Sequence, residues 1–444
     1  MIGKRGGIAA LGLMAACLLG SRDLVAQERT VTLEEAITLA LQAQPAIVQA
    51  EGDLAVAHAG QREAWGNLLL PNVNASSGIS QGSNNKIDAT TGQIRNLPPL
   101  VSYNTGLNAS LTIFDGLSRW SQTRAARATA SSADAALTNQ RFQIILQTKQ
   151  AYFNAVAALE LVKVTQTQVA RSEQQLRISK DKLAAGSAIR SDTLRSTVDL
   201  GNARLALLNA QAQLATAEAN LARLIGTDET VHAGEAPPIP DVSALDTTAL
   251  RQEIVNVSPA VQAAEAQARA AGSQVSVTRS QYMPTVTASY RRSWAGTRDS
   301  VSFTPAAIGI WPSLTNTWSF NLGLSWPIFN GFTRETNMTR ALASRDAAEA
   351  RAADARRQAN ANFTQQLAGL EAASQQFTIA QASRAAADED LRVQQERYRL
   401  GAATIVDVLT SQVSLGQAEV ALVQARLNVL VAKAQIEALL GREL

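Results

Sequence analysis

The sequence predicts a mainly α-helical chain with a small β part, built as two copies of one helix–strand–strand–helix–helix unit. Three observations carry that fold class. Residues recur in order at a fixed internal offset. Four short segments alternate apolar and polar side chains. Leu and Ala recur every seven residues along the helical stretches.

The repeat comes first because it organises the rest. Gly186 and Gly401 stand 215 positions apart, and the same spacing pairs Phe114 with Phe329, Gly116 with Gly331, Arg119 with Arg334, Asp192 with Asp407 and Gly226 with Gly441. Near the start of each copy the spacing is 214, joining Pro45-Ala46 to Pro259-Ala260, and Pro71 matches Pro284 at 213. Loop drift of one or two residues explains the change. The copies are expected at 27–230 and 231–444, joined through a Pro-, Gly- and Asp-rich linker at 227–245.

Each copy opens with a helix, at 33–67 and 250–282, which its proline should break or kink. Two strands follow, about 71–81 and 103–114 in the first copy and 284–294 and 316–329 in the second. Then come a very long helix (117–184; 333–400), a tip hairpin (about 184–194; 399–409) and a last helix (191–225; 405–440). At about 1.5 Å per residue, the helix over 117–184 is on the order of 100 Å long.

The N-terminus reads as a targeting segment. Lys4 and Arg5 precede an apolar stretch from Ile8 to Leu19, and Leu24-Val25-Ala26 suits a cleavage site, so 1–26 is expected to be a signal peptide. The alternative is acylation of Cys17, the only cysteine, within Met14-Ala15-Ala16-Cys17. Beyond it no run of about 18 apolar residues exists. An exported chain of this kind is periplasmic or forms part of an outer-membrane barrel.

Composition excludes several functions. Lys and Arg total 40 against 37 acidic residues, and the Arg residues are spread along the chain with no basic stripe, so nucleic acid is not a partner. The only histidines, His58 on a polar helix face and His232 in the linker, have no Cys or carboxylate constellation in the sequence around them. No phosphate-binding glycine loop follows a strand. Catalysis, a cofactor and a metal centre are not expected.

The strands point to a membrane. In Trp318-Ser-Phe320-Asn-Leu322-Gly-Leu324-Ser-Trp326 and Leu107-Asn-Ala109-Ser-Leu111-Thr-Ile113 the alternation is strict. Val73, Ala75 and Ile79, and Val286, Ala288 and Tyr290, do the same. Four of the six Trp fall between Trp294 and Trp326, as in an interfacial aromatic girdle. The polar segments 81–100 and 295–315 suit external loops. Four strands cannot close a barrel, and an open edge in lipid leaves backbone groups unpaired. Several copies must share one, and three copies would supply about 12 strands.

The helices carry two adjacent seams. Leu200, Ala203, Leu207, Ala210, Leu214, Ala217, Leu221 and Leu224 form one; Leu194, Val198, Gly201, Leu205, Leu208, Ala212 and Ala215 form the other. The second copy has Leu415, Ala418, Leu422, Ala425, Val429, Ala432, Ile436 and Leu439 beside Leu409, Val413, Gly416, Val420, Val423, Leu427 and Leu430. A helix with two seams touches a neighbour on each side. Such coiled-coil helices tile into sheets that can close into a cylinder.

These residues resemble the TolC-like outer-membrane efflux protein family over nearly the whole mature chain. The carriers are Leu-Thr-Ile-Phe-Asp-Gly at 111–116 with Trp-Pro-Ile-Phe-Asn-Gly at 326–331, and the duplicated tip. The tip reads Leu176 to Gly186 with Asp192-Thr-Leu194, and Leu391 to Gly401 with Asp407-Val-Leu409. The resemblance implies a homotrimer with a 12-stranded transmembrane β-barrel in outer-membrane lipid, continuous with a periplasmic α-helical barrel. It implies transport of drugs, small molecules or polypeptides in tripartite efflux or type I secretion. The partners would be a periplasmic adaptor (membrane fusion protein) and an inner-membrane pump of RND, ABC or MFS type.

By the same resemblance Asp407, Thr410, Asp192 and Tyr398 belong to the tunnel entrance, and Gly186, Ser187, Gly401 and Ala402 to the adaptor-docking tips. Three Asp407 carboxylates ringing a narrow mouth would hold raised pKa values. The plainer reading makes Asp192 and Asp407 first-turn helix residues. Two departures stand out: Thr410 replaces a second acidic ring, and Ala403 replaces a tip Arg that clasps Tyr and Asp. The alternative function is a periplasmic coiled-coil adaptor or structural protein, for which the four inserted strands have no use. The cargo is open.

Overall fold

Prolines, the capping residue ahead of the first helix of each copy and the tip glycines set the helix boundaries of this chain. The computed structural model describes residues 29–87, 89–235, 237–239, 246–298 and 315–444. The targeting segment with Cys17, part of the linker, and most of the segment 295–315 with Trp311 lie outside the described residues.

The order is β1 (Arg29–Val31), α1 (Leu33–Ala43), α2 (Pro45–Leu69), β2 (Asn72–Ile87), β3 (Ile94–Phe114), α3 (Ser118–Ala184), α4 (Arg190–Ile225) and β4 (Val231–Ala233). It continues with α5 (Thr247–Val257), α6 (Pro259–Arg279), β5 (Thr285–Arg298), β6 (Thr315–Ser325), α7 (Thr333–Arg399) and α8 (Ile405–Leu440). Helices α3 and α7 both have 67 residues, and α4 and α8 both have 36, so the two copies keep their helix lengths.

Local chemistry explains the breaks. Thr32 caps α1 by accepting from the Glu35 N–H, and Asp246 caps α5 by accepting from Thr248 and Ala249. Gln44 and Ser258 precede prolines and leave the helical region, with ψ of 123° and 130°, which splits each expected first helix in two.

The chain forms two units, each drawn from both sequence copies. One comprises residues up to 44, 144–243 and 369–434. It holds β1 paired in parallel with β4, and a core that includes Tyr152, Leu221, Leu370, Leu415 and Val429. The other comprises 45–143, 244–368 and 435–444. Its helical core includes Leu137, Ile254, Val261, Phe363 and Ile436, and it carries the four-stranded antiparallel sheet in the order β2-β3-β5-β6.

Four differences from the sequence reading appear. Strands β2 and β3 run on into 81–100, expected as loop, because Asn85, Lys86 and Ile87 still pair with Asn96, Arg95 and Ile94. Strand β6 stops at Ser325, short of 329, just ahead of Trp326-Pro327; proline has no N–H to give a ladder. The expected linker contains β4. It brings His232 Nδ1 to 2.6 Å from Glu218 Oε1 on α4, so His232 does have a carboxylate neighbour. One carboxylate makes no metal site, and no cluster of three or more potential ligands occurs among the described residues.

Candidate functional site

The sheet separates its faces across all four strands. The register aligns Val73, Ala109, Tyr290 and Phe320 in one row, and Ala75, Leu107, Arg292 and Trp318 in the next. Leu111, Ala288 and Leu322 extend the same face. The other face carries rows of Asn74, Asn108, Arg291 and Ser319, and of Ser76, Gly106, Ser293 and Thr317. Pleating puts alternate residues on opposite sides, so one side is apolar and the other wet. On the apolar side Phe320, Leu322 and Leu324 are exposed within the protomer. The Arg292 guanidinium lies 5.1 Å from the Trp294 ring and donates to Asn316. Such a cation–aromatic pairing suits a headgroup-level position.

Both passages from sheet to helix use one device. Gly116 and Leu117 have φ of 65° and 66°, and Gly331 and Phe332 both 65°. The following Arg119 donates to Asp115 and to the Asn67 and Leu68 carbonyls. Its counterpart Arg334 donates to the Pro327 and Ile328 carbonyls and sits 5.0 Å from the Tyr282 ring. This accounts for the repeated Phe-x-Gly-x-x-Arg pattern.

The tips lie at the ends of α3 and α7. Gly186 and Gly401 have φ of +72° and +79° and close both helices in the left-handed conformation. Ser187 N–H reaches the Lys182 carbonyl at 2.9 Å, and Ala402 N–H reaches the Arg397 carbonyl at 2.8 Å, the hydrogen bond of a Schellman end. Gly186, Ser187, Gly401 and Ala402 are all exposed.

Asp407 is an exposed first-turn residue of α8. Its carboxylate accepts from the Thr404 N–H at 2.8 Å and hydroxyl at 2.7 Å, and its own N–H approaches Thr404 Oγ1 at 3.4 Å. That is a reciprocal capping box. The bond from the Thr404 N–H, then its hydroxyl and Arg397, hold the Asp407 carboxyl below the usual range. Within one protomer this is opposite to the raised value expected from a ring of three. Thr410 turns its hydroxyl onto the Val406 carbonyl, 2.8 Å away.

Asp192 sits in the first turn of α4, where no side chain caps Ile189. Tyr398 is buried in an apolar cluster with Leu391, Ile405, Val408 and Leu415. Burial pushes its phenol up, with Ser179 opposing and Asp192 adding to the rise. The hydroxyl lies beside Ser179, yet no hydrogen bond of good geometry satisfies it. Thus Asp192 acts on Tyr398 through its charge alone, while Asp407 is occupied with its own helix end. The sequence reading missed Lys182, whose ammonium sits 4.0 Å from the Tyr398 ring centroid and donates to the Tyr398 carbonyl.

The helical seams differ in cover. On α4, Leu200, Ala203, Ala210 and Leu221 are buried in the protomer. Leu194, Val198, Leu205 and Leu208 remain 57–63% exposed.

A sheet with one apolar and one polar face, in a chain of long seamed helices, is the make-up of an outer-membrane channel protein. The family profile described as outer membrane efflux protein matches residues 36–227 and 250–442, and the chain belongs to that family. It is therefore an outer-membrane channel component and not an enzyme. The outer membrane efflux protein BepC of Brucella suis is 24% identical over 82% of this chain and 75% of its own. The pyoverdine export outer membrane protein OpmQ of Pseudomonas aeruginosa is 26% identical over 88% of this chain and 82% of its own. Among solved structures, CusC superposes with a TM-score of 0.78 at 19% identity, covering 92% of each chain.

Proposed function

We propose that three copies of this chain form one passive exit duct for a tripartite efflux system, with the tips as its inner entrance. The observation that carries the reading is the pair of unsatisfied surfaces on one protomer. Strands β2 and β6 are the free edges of a sheet whose apolar face is exposed. Helix α4 exposes a complete second seam. Edge pairing in lipid must be closed, and a second copy supplies the complementary edge.

In that assembly the apolar face meets outer-membrane lipid and the polar face lines the duct. Asp407, Thr410, Asp192 and Tyr398 stand at the entrance, and the exposed tips around Gly186, Ser187, Gly401 and Ala402 meet a periplasmic adaptor bound to an inner-membrane pump. Export of small molecules is favoured over polypeptide secretion by relatives such as OpmQ, whose name records pyoverdine export. Energy comes from the pump in this reading, and the chain acts as a conduit.

Pairs of cysteines scanned along β2 and β6, with Asn74 and Ser319 among the positions, test the assembly. Oxidation in outer-membrane fractions should give covalent trimers. Only monomers, or the protein appearing in the soluble periplasmic fraction, would end the proposal.

A further inference from the structure

Both hairpins of the four-stranded sheet begin and end on one rim. Asn72 pairs with Ser110, and Thr285 with Ser325, so α2, α3, α6 and α7 all join the sheet at that edge. The side chains bordering the rim are apolar and uncovered: Leu69, Trp120, Trp326, Ile328, Phe329 and Phe332 are exposed. Trp326 follows Leu324 in the alternation of the apolar face, and its Nε1 donates to the Tyr282 carbonyl at 3.2 Å. The Arg334 guanidinium lies against the Tyr282 ring, so a cation stands directly behind the aromatic border.

The helix ends next to this border are basic. In 61–70, 115–133, 279–283 and 326–340 together, seven Arg face three acids, a net of +4. Arg62 on α2, Arg124 on α3 and Arg279 at the end of α6 are exposed and enter no ion pair among the described residues. Arg127 lies 4.9 Å from the Trp65 ring. Farther along the helices, exposed arginines sit beside acids, as Arg141 does with Glu51, Arg356 with Glu265 and Arg392 with Glu389. Helix α3 is the sharpest case. From Ser118 to Ala133 it carries Arg119, Arg124 and Arg127 and no Asp or Glu. The N-terminal end of a helix is partly positive and favours acids, so cations placed there oppose the dipole. Asp115 answers only Arg119. Arg124 and Arg127 are left for an anion from outside the protomer.

We propose that this collar binds the phosphate headgroups of acidic phospholipid in the periplasmic leaflet of the membrane. The inference rests on reading the sheet as embedded in lipid, and it names the lipid class. The order along the chain matches such a molecule: an apolar sheet face for acyl chains, an aromatic border for the interface, then guanidinium groups for the head. Arg suits the task because its planar fork grips phosphate at two points. The unpaired Arg62, Arg124 and Arg279 supply the attraction, and Arg127 beside Trp65 joins cation to aromatic at headgroup level.

The test uses the full chain, purified in detergent and reconstituted in phosphatidylcholine vesicles. Acyl-brominated phosphatidylglycerol or acyl-brominated phosphatidylcholine is added, and quenching of Trp fluorescence reads which lipid sits at the protein. Trp65 and Trp120 stand near the rim as reporters. Phosphatidylglycerol should be preferred about fivefold, the weight of one basic residue at an acidic surface. The preference should shrink in 1 M salt, where the screening length falls to about 3 Å. Arg62→Gln with Arg124→Gln and Arg279→Gln should bring it close to onefold. Helix content should hold, since these three side chains make no ion pair to lose. A variant with equal charge loss farther from the sheet, Arg345→Gln with Arg356→Gln and Arg357→Gln, should keep the preference. Equal quenching by both lipids in the parent overturns the collar, as does an equal loss of preference in the two triple variants. A collar variant that keeps the preference but shifts the ion selectivity of the channel puts these arginines in the duct and also overturns it. In each of those cases lipid still quenches, and the membrane reading stands. No quenching by either brominated lipid overturns both.

Discussion

Truncating the uncovered seam of α4 should dissolve the assembly and leave the protomer intact. The perturbation is Leu205→Ala with Leu208→Ala. Within one chain these residues are 60% and 61% exposed, so their remaining contact area is open to another copy. Each change removes three carbons, worth roughly 2.4 kcal/mol if fully buried at about 0.8 kcal/mol per methylene. Scaled by the exposed share, each contributes about 1.5 kcal/mol, and the pair about 3 kcal/mol per interface. That is on the order of a hundredfold in the association constant of each interface. Light scattering in detergent across a dilution series reads it directly: the variant should dissociate at concentrations where the parent stays trimeric. Circular dichroism should show unchanged helix content. The counterpart is Leu200→Ala, at 8% exposure, which should cost the protomer itself about 2–5 kcal/mol. A double variant that dissociates no more readily than the parent would refute the assignment of this seam to an intermolecular contact.

Other outcomes follow from the geometry. Gly401→Ala should be mild, about 1–2 kcal/mol of local tip stability, since φ is +79° but nothing lies near the new methyl; limited proteolysis at the tip should quicken. Gly116→Ala should be far worse, because its Cβ would lie 2.2 Å from Met283 Cβ, and yield of folded protein should collapse. Because the folded Asp407 carboxyl is held low by Thr404, its contribution is present above the usual carboxylate range and is lost as pH falls through the folded value. Asp407→Asn should flatten the acid limb of tip stability followed by hydrogen exchange. Tyr152→Phe removes a buried hydroxyl that donates weakly to the Glu235 carbonyl at 3.4 Å, and should lower stability by about 0.5–1.5 kcal/mol in a thermal melt.

The long helices were legible to within a residue or two because Gly186 and Gly401 end them and heptad spacing fills them. Prolines 45 and 259 were equally plain punctuation. The outer halves of β2 and β3 were not readable. Gln81 to Ile87 has no greasy alternation, yet backbone pairing in a hairpin continues without it. The β1–β4 pair escaped because three-residue strands carry no period, and Thr30 meets His232 only through the fold. At the tip the residue types were legible and the partnerships were not. Thr404 three positions before Asp407 is a capping box in plain sight. The reach of Lys182 to Tyr398 needs α3 and α7 side by side, which one-dimensional spacing does not reveal.

The paired left-handed residues at Gly116-Leu117 and Gly331-Phe332 act as a gearbox between two periodicities. A strand repeats every two residues and a helix about every 3.6, so something must set the phase where one becomes the other. Leu117 and Phe332 lack glycine's freedom, and Arg119 and Arg334 bolt the joint shut, leaving no slack to absorb an extra residue. One residue inserted there would turn the first turns of the following helix by about 100° against the residues that Arg119 and Arg334 hold. The phase in which each long helix leaves the sheet is therefore timed by a two-residue bend.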